Sequence, residues 1–423
     1  MSNGSDVGKT DDLHPPIRLA GEEFRASKQF VAGTHRAMDP AKTLERIRPH
    51  LSKAGVTRVA DITGLDTIGI PVAISVRPGS GTLAVDSGKG ATLIAAATSA
   101  SMEAIERFVG EEDHVCDAVG TINELGDRLS VAPDRFPVLS HATIRRDKEF
   151  SWSEMWDLNT GVSTLVPESL VLMPHPVPGL LSLPWASSSN GLASGNHVAE
   201  ALCAGLYEVI ERDATSCWMV ALTKGAQRLR VDLNTLKGEI IGGLCEQIWA
   251  SDSNVAIYWC PTEMGVPVFV ADVWSNRGGV GTYRGYGCHL DPEIAMIRAV
   301  TEAVQARTVF VAGARDDLMR GGFEALRRSD VLSSDEIVAN SKLVTVDDIP
   351  DRATGTFHGD VALLLDGLRM AGFDSVLARE LPLGREFEVS VVRVVVPGLE
   401  PYRFRWVAIT DRAQNFIVPA VGS

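Results

Sequence analysis

The stretch "NGLASGNHVAEALCAGLYEVIERD" runs from Asn190 to Asp213 and passes from a glycine-rich turn into an almost wholly apolar helix. Three carboxylates, Glu200, Glu208 and Glu211, interrupt that apolar run. At roughly 100° per residue they fall within an arc of about 80°, with Asn196 about 40° outside it. The remaining positions are mostly Ala, Leu, Val, Ile and Cys, which predicts burial on nearly every side. A buried, unpaired carboxylate costs several kcal/mol or takes up a proton. Something cationic is therefore expected to face this helix.

A second copy of the pattern lies upstream. "MEAIER" at 102–107 matches "YEVIER" at 207–212, and each contains E-x-x-E-R: Glu103, Glu106 and Arg107, then Glu208, Glu211 and Arg212. Residues three apart share a helix face, and Ser99 sits one turn before Glu103. Such pairs make either an internal salt-bridge seam or a metal site. A donor set of carboxylates without His or Cys favours Mg²⁺ over zinc or di-iron, and Mg²⁺ commonly accompanies phosphate. "SGKGAT" at 87–92 places Gly88, Lys89 and Gly90 just ahead of a helix N-terminus, where an anion is favoured. It is not a P-loop, because Leu83 stands where the first Gly belongs and Gly90 where Ser or Thr is required. A third helix aligns Arg298, Glu302 and Gln305 in "IRAVTEAVQAR" and leads on to "GARDD" at 313–317.

Composition narrows the class. The chain has 423 residues, 45% of them hydrophobic, enough for one large domain or two to three subdomains. Lys plus Arg number 40 against 54 Asp plus Glu, a net charge of -14, so the mean surface repels nucleic acid and anionic membranes. Any anionic ligand needs a local site. The six cysteines form no CxxC pair and no zinc spacing, which suits the cytoplasm. No secretory h-region and no bilayer-length apolar run is present. No Ser-His-Asp or Cys-His arrangement can be assembled, and His197 and His289 read as structural hydrogen-bonding residues.

Residues 1–33 read as a flexible arm, and removing residues 1–30 is expected to leave nucleotide binding unchanged. Residues 39–53 read as a capped helix. "TRVADIT", "IPVAISVRP" and "PVFVADVW" read as strands, and 91–109 as a long helix. "GGVGTYRGYGCHLDP" reads as a glycine-rich loop before a helix opened by Pro292, and 329–358 as a surface excursion. The chain closes with a helix and two strands. The expected class is α/β, as a mixed α+β protein.

These blocks, in this order, resemble the YcaO family. The pieces are "THRAMDPAKTLERIRPHLSKAGVTRVADITGLDTIGIPV", "GKG", "SASMEAIER", "SNGLASGNHVAEALCAGLYEVIERDA", "GYGCHLDPEIAMIRAVTEAVQAR", "GARDD" and "VVVPGLEPY", which span about residues 34–402. The resemblance implies a YcaO-type fold over 34–423, with several subdomains around an ATP cleft unlike P-loop or kinase folds. It implies ATP and Mg²⁺ as cofactors. Carried over position by position, the metal ligands would be Glu103, Glu106, Glu200, Glu208, Glu211 and Glu302. The cofactor-binding set would be Lys89, Ser99, Glu103, Asn196, Glu200, Arg298 and Gln305. Arg107, Arg212 and Arg315 would be the catalytic cations. Ala193 stands where some members carry a polar residue.

The family resemblance also implies the reaction. Members activate a backbone amide of a precursor peptide or a protein by transferring the γ-phosphoryl group of ATP to the amide oxygen. A Cys, Ser or Thr nucleophile gives an azoline, and external sulfide gives a thioamide. Azoline-forming members often end in Pro-x-Pro-x-Pro, whereas this sequence ends "FIVPAVGS", and the segment before residue 34 is expected to be too short for a fused leader-peptide-binding domain. The expectation is thioamidation with a TfuA-like partner, by a homodimer. The alternatives are an azoline-forming cyclodehydratase and a non-catalytic scaffold that supports ribosomal protein methylthiolation.

Overall fold

The computed structural model describes residues 14–112, 116–173, 183–277, 281–314, 336–401 and 407–419. It opens with a hairpin, β1 (Ile17–Leu19) and β2 (Glu22–Phe24). Ala20 and Gly21 turn it with positive φ, the conformation a tight two-residue hairpin demands. Residues 14–33 depart from the expected loose arm. Ile17 and Leu19 enter the main core, and Lys28 forms a buried ion pair with Asp360. The short alternating run "IRL" buries every second side chain, and this was too brief a signal to stand out in a polar N-terminus. Residues 1–13 lie outside the described residues.

Helix α1 (Pro40–Ile47) starts at Asp39, whose side chain accepts from the Ala41 N–H, with Pro40 in the first turn. It is shorter than 39–53, because a 3₁₀ turn over Arg48–His50 follows at Pro49. β3 (Arg58–Asp61), β4 (Val72–Val76) and β5 (Val85–Lys89) form an antiparallel meander covered by α2 (Leu93–Glu112). Gly88 belongs to β5. A Cβ there would stand 2.1 Å from the Ala100 backbone nitrogen, so only glycine lets α2 lie this close.

Next come β6 (Ala118–Thr121), the single turn α3 (Ile122–Leu125), β7 (Glu149–Asp157), β8 (Ser163–Pro167) and β9 (Leu192–Gly195). α4 (Val198–Thr223) is buried along nearly its whole length, as its apolar sequence predicts. It leads to β10 (Leu229–Val231), α5 (Glu239–Ala250), β11 (Ser253–Trp259), β12 (Val268–Ser275), β13 (Thr282–Cys288) and α6 (Pro292–Val311). The chain ends with β14 (Lys342–Val344), α7 (Phe357–Met370), β15 (Leu377–Leu381), β16 (Ser390–Val395) and α8 (Asp411–Asn415).

Residues 282–288 of the segment expected as a glycine-rich loop form β13 instead, while 278–280 lie outside the described residues. Cβ atoms at Gly285 and Gly287 would lie 2.2 and 2.0 Å from the α6 carbonyls of Ala299 and Ala295. The glycines are there to press the strand onto the helix backbone. Part of the expected 329–358 excursion is likewise ordered: β14 pairs in parallel with β10, while residues 329–335 lie outside the described residues.

Two larger sheets organise the mixed α/β fold. One runs β13-β12-β11-β10-β14, and the other β6-β7-β15-β16-β9 with β8 on β7. The first is sandwiched. Val255, Ile257, Phe269 and Ala271 meet α5 and α6 on one face, while Tyr258, Val268 and Val270 meet α4 on the other. The second packs α2 beside Leu192 and Val391, and α4 beside Ala193 and Val392. Helix α4 is thus held between the two sheets, with α6 on the far face of the first and α2 on the far face of the second. No helix among the described residues is long and apolar enough to cross a membrane.

Candidate functional site

Glu103 and Glu106 on α2, Glu208 and Glu211 on α4, and Glu302 on α6 form one electrostatic chain. Glu106 feels Glu103 and Glu208, Glu208 feels Glu211 and Glu103, and Glu211 feels Glu302. Burial first, then these like charges, lift the Glu106 carboxyl well above the usual range, although the Ser194 hydroxyl donates to it at 2.9 Å. Burial pushes Glu208 up to about 7 against the pull of Arg212. Glu211 is raised by burial as well. Burial also opposes the charge on Glu302, but Lys89 and then Arg212 outweigh it and hold that carboxyl below the ordinary range.

Cations stand around this chain. Lys89 reaches from the end of β5 into an ion pair with Glu302, rather than cradling an anion at the α2 N-terminus. Gln305 fixes that geometry, since its amide donates to the Ser87 carbonyl at 2.6 Å and to the Ser87 hydroxyl at 2.8 Å. Arg212 lies 3.7 Å from Glu208 and stacks over the Tyr286 ring at 5.9 Å. The Nε of Arg298 is buried with no hydrogen-bond acceptor. Arg298 therefore offers a desolvated donor beside Glu211 and Glu302.

Not every candidate joins the chain. Arg107 is turned toward Asp86, with its Nε 3.0 Å from Oδ1, and it donates to the Thr82 hydroxyl at 2.7 Å. Burial raises Asp86 to about 7, and Glu103 adds to that rise. Ser99 is half-buried on α2, one turn before Glu103. Glu200 sits two turns before Glu208, about 12 Å along the helix axis. It accepts from the Asn196 backbone N–H at 3.0 Å and its side-chain amide at 3.2 Å, and it pairs with Arg36 at 3.5 Å. The Asn196 side-chain oxygen accepts from Thr43 at 2.9 Å and Arg46 at 2.6 Å. Arg315 lies outside the described residues.

Arg36, Thr43, Arg46, Asp86, Ser194 and Arg393 were not singled out from sequence. Arg46 and Thr43 lie on a recognisable helix, but which of its faces meets Asn196 depends on tertiary packing. Arg393 is fully buried on β16, where its Nε donates to the Val171 carbonyl at 2.8 Å and its Nη1 to the carbonyls of Ser188 and Asn190 at 3.0 and 2.9 Å. It lies within electrostatic reach of Glu208 and Glu106. A lone arginine in "VSVVRVVV" gives no sign of such a partner.

A separate cluster is structural. The carboxylate of Asp360, near His35 and His289, is saturated. Lys28 lies at 2.7 Å and Tyr207 at 2.9 Å from one oxygen, while the Thr354 N–H and hydroxyl donate at 2.8 and 2.9 Å to the other. His197 caps α4 and His289 accepts from the Asp291 N–H, which agrees with their expected structural roles.

Five oxygen-donor carboxylates flanked by Lys89, Arg212 and Arg298 make a donor set that fits a hard divalent cation carrying a phosphate chain. Zinc or iron would call for His or Cys ligands. A site of this chemistry suits a metal–nucleotide.

Comparison with known proteins agrees. A family model described as "YcaO cyclodehydratase, ATP- and Mg²⁺-binding" matches residues 87–400. A protein of Methanothermobacter thermautotrophicus is 36% identical over 86% of this chain and 95% of its own. A Rhizobium leguminosarum bv. trifolii protein described as lying in the tfuA 3′ region is 33% identical over 90% and 92%. The structure of YcaO from Methanopyrus kandleri bound with AMPPCP and Mg²⁺ superposes with a TM-score of 0.68 at 26% identity, covering 89% of this chain and 95% of that one. A heterocyclase in complex with substrate and cofactor gives 0.76 at 22% identity over 92% of this chain, which spans 55% of that longer protein. The chain belongs to the YcaO family, whose members are ATP-dependent enzymes, and it shares their ATP- and Mg²⁺-binding character.

Proposed function

We propose that this protein activates a backbone amide of a precursor peptide or a protein and, with a TfuA-like partner, converts it to a thioamide. The observation that carries the reading is the chain of carboxylates from Glu106 to Glu302 beside Arg298, whose Nε is buried with no acceptor. The neighbourhood of a tfuA gene in a relative of similar length supports the partner.

Bound Mg²⁺-ATP would supply the γ-phosphoryl group and the metal charge that offsets it. Glu103, Glu106, Glu208, Glu211 and Glu302 would hold the metal, with Lys89 and Gln305 fixing Glu302. Arg298 and Arg212 would bind and orient the phosphate chain, and Arg36 and Arg46 would close the end at Asn196. Arg107, Glu200 and Ser99 complete the proposed set, with Asp86 and Ser194 orienting their neighbours. Arg393 supplies a fixed positive charge behind Glu106 and Glu208. In the reaction, hydrosulfide sulfur bonds to the amide carbon, and the amide oxygen departs in inorganic phosphate as ATP becomes ADP. Catalysis by this set is positioning and electrostatics rather than a covalent enzyme intermediate.

The test is incubation of the purified chain with Mg²⁺-ATP, sulfide, the partner protein and peptides encoded beside the gene, read by mass spectrometry. Exchange of one oxygen for sulfur is the expected result. Loss of one water instead would make it an azoline-forming cyclodehydratase, and no ATP consumption would leave a scaffold.

A further inference from the structure

We infer that Asp66 and Arg307 form a positioning pair that fixes helix α6 against β5, so that Glu302 meets Lys89 and Gln305 meets Ser87; this rests on the nucleotide site proposed above. Asp66 belongs to "TGLDTIG", the turn between β3 and β4, and is its only charged residue. Its backbone N–H closes the 3₁₀ turn Thr63–Leu65. Ile62, Ile68 and Ile70 on either side are buried in the core that contains α6. Arg307 answers Asp66 from α6, 241 residues away in sequence. Its Nε lies 3.1 and 2.9 Å from the two carboxylate oxygens, and the side chains of Arg307 and Asp66 are 4% and 3% exposed.

Stability alone does not account for this pair. Two buried ions rarely stabilise a fold more than well-packed apolar side chains of similar size, and their best-attested use is to fix register. Donors are also left unfilled here. Arg307 Nη1 is buried with no hydrogen-bond partner, and so is the hydroxyl of Tyr283, which lies within electrostatic reach of both Arg307 and Asp66. Side chains placed only to stabilise would have those groups satisfied.

Position gives the pair its role. α6 lies along β13 through Ala295, Ala299 and Ala303, and Arg307 continues that stripe one turn further, near Tyr283. Glu302 and Gln305 stand about 140° and 160° around the helix from Arg307. They reach Lys89 and Ser87 on β5. One antiparallel meander therefore holds α6 on two sides, with β5 taking Glu302 and Gln305 and the β3–β4 turn taking Arg307. β4 links the two holds, since Val72 pairs with Lys89 and Ile74 with Ser87. A helix tied on two faces cannot turn about its axis without breaking one tie. Without the Asp66–Arg307 tie, a turn of about 15° moves a side-chain tip about 6 Å from the axis by about 1.5 Å. A shift of that size is enough to separate Glu302 from Lys89 and to misplace Arg298 for the proposed phosphate contact.

The experiment uses the full chain and reads Lys89 directly. Lysines are labelled with an N-hydroxysuccinimide ester, and peptide mass spectrometry gives the rate at Lys89, which its ion pair with Glu302 slows. Lys28, buried in its pair with Asp360, is the internal control for general loosening. Asp66→Leu/Arg307→Met replaces the charge pair with apolar side chains. This variant is expected to melt within a few degrees of the wild type. It should label Lys89 at least about threefold faster, in line with loss of a part-exposed ion pair, and leave the Lys28 rate unchanged. Calorimetric Mg²⁺-ATP binding should weaken about tenfold. An unchanged Lys89 rate, or a rise matched at Lys28, overturns the inference. So does unchanged Mg²⁺-ATP affinity beside a wild type that binds it. If the double variant fails to fold, Asp66→Glu, which keeps the charges but lengthens the tie by one methylene, takes its place, and an unchanged Lys89 rate there overturns the inference equally. Absence of Mg²⁺-ATP binding in the wild type would sink the amide-activating reading, while the labelling comparison would still decide the positioning pair.

Discussion

The Ser194 hydroxyl donates to Glu106 at 2.9 Å, joining the end strand β9 of one sheet to helix α2 and holding a carboxylate that burial and its neighbours push toward protonation. Ser194→Ala should leave the fold intact and free Glu106 to reorient. Mg²⁺-dependent nucleotide binding is expected to weaken roughly fivefold to tenfold, in line with one hydrogen bond to a charged group. Isothermal titration of the variant at fixed Mg²⁺ reads this directly. Wild-type affinity would show that Glu106 needs no support from β9.

The raised carboxyls make a pH prediction with a definite sign. Glu208 moves from 4.5 to about 7, and Asp86 from 3.8 to about 7. The folded protein therefore holds more protons than the unfolded chain between roughly pH 4 and 7, and stability is lost as pH rises through that window. The melting temperature without ligand should fall from pH 5 to pH 8. On the proposed function Mg²⁺-ATP binds the deprotonated carboxylates, so its affinity should rise over the same range. Parallel thermal scans with and without Mg²⁺-ATP check both slopes.

Arg298 has a buried Nε with no acceptor, so its replacement removes an unmet donor as well as the proposed phosphate contact. Arg298→Met should keep or raise the melting temperature of the ligand-free protein. The same change should weaken nucleotide binding about tenfold to a hundredfold. A loss of both stability and binding would assign Arg298 to the core instead.

Lys28 and Asp360 form an ion pair at 2.7 Å with side chains 2% and 0% exposed. Lys28→Met leaves the Asp360 charge buried, and a cost of about 3–5 kcal/mol is expected by chemical denaturation. Deleting residues 1–30 removes this lysine together with Ile17 and Leu19, so it should lower stability, and with it nucleotide binding, against the expectation of unchanged binding. Truncation before residue 14 is the milder test of the terminus.

Gly88→Ala would drive a Cβ to 2.1 Å from the Ala100 nitrogen, at the strand that carries Lys89. A cost of about 1–3 kcal/mol or more is expected, since backbone rather than a flexible side chain must move. Because the shift displaces Lys89 from Glu302, nucleotide affinity should fall with it.

Helix periodicity, a repeated E-x-x-E-R and the run of blocks from "THRAMDP" to "VVVPGLEP" were enough to read a mixed α/β chain of the ATP- and Mg²⁺-binding YcaO family. Those properties are local. A helix face follows from 3.6 residues per turn, and a carboxylate's cost in an apolar helix follows from burial alone. What only tertiary structure decided is which faces meet. It placed Glu208 against Glu103 and Glu106 from another helix, and gave Lys89 to Glu302 rather than to a helix N-terminus. It turned Arg107 toward Asp86, and brought Arg36 and Arg46 to Glu200 and Asn196 across about 150 residues of chain. The glycines of "GTYRGYGC" show the same limit. Their sequence is equally a flexible loop or a strand pressed on a helix, and only the position of Ala295 and Ala299 settles which. Contacts between residues far apart in the chain depend on how whole elements pack, and that information is shared among all of them rather than written beside any one.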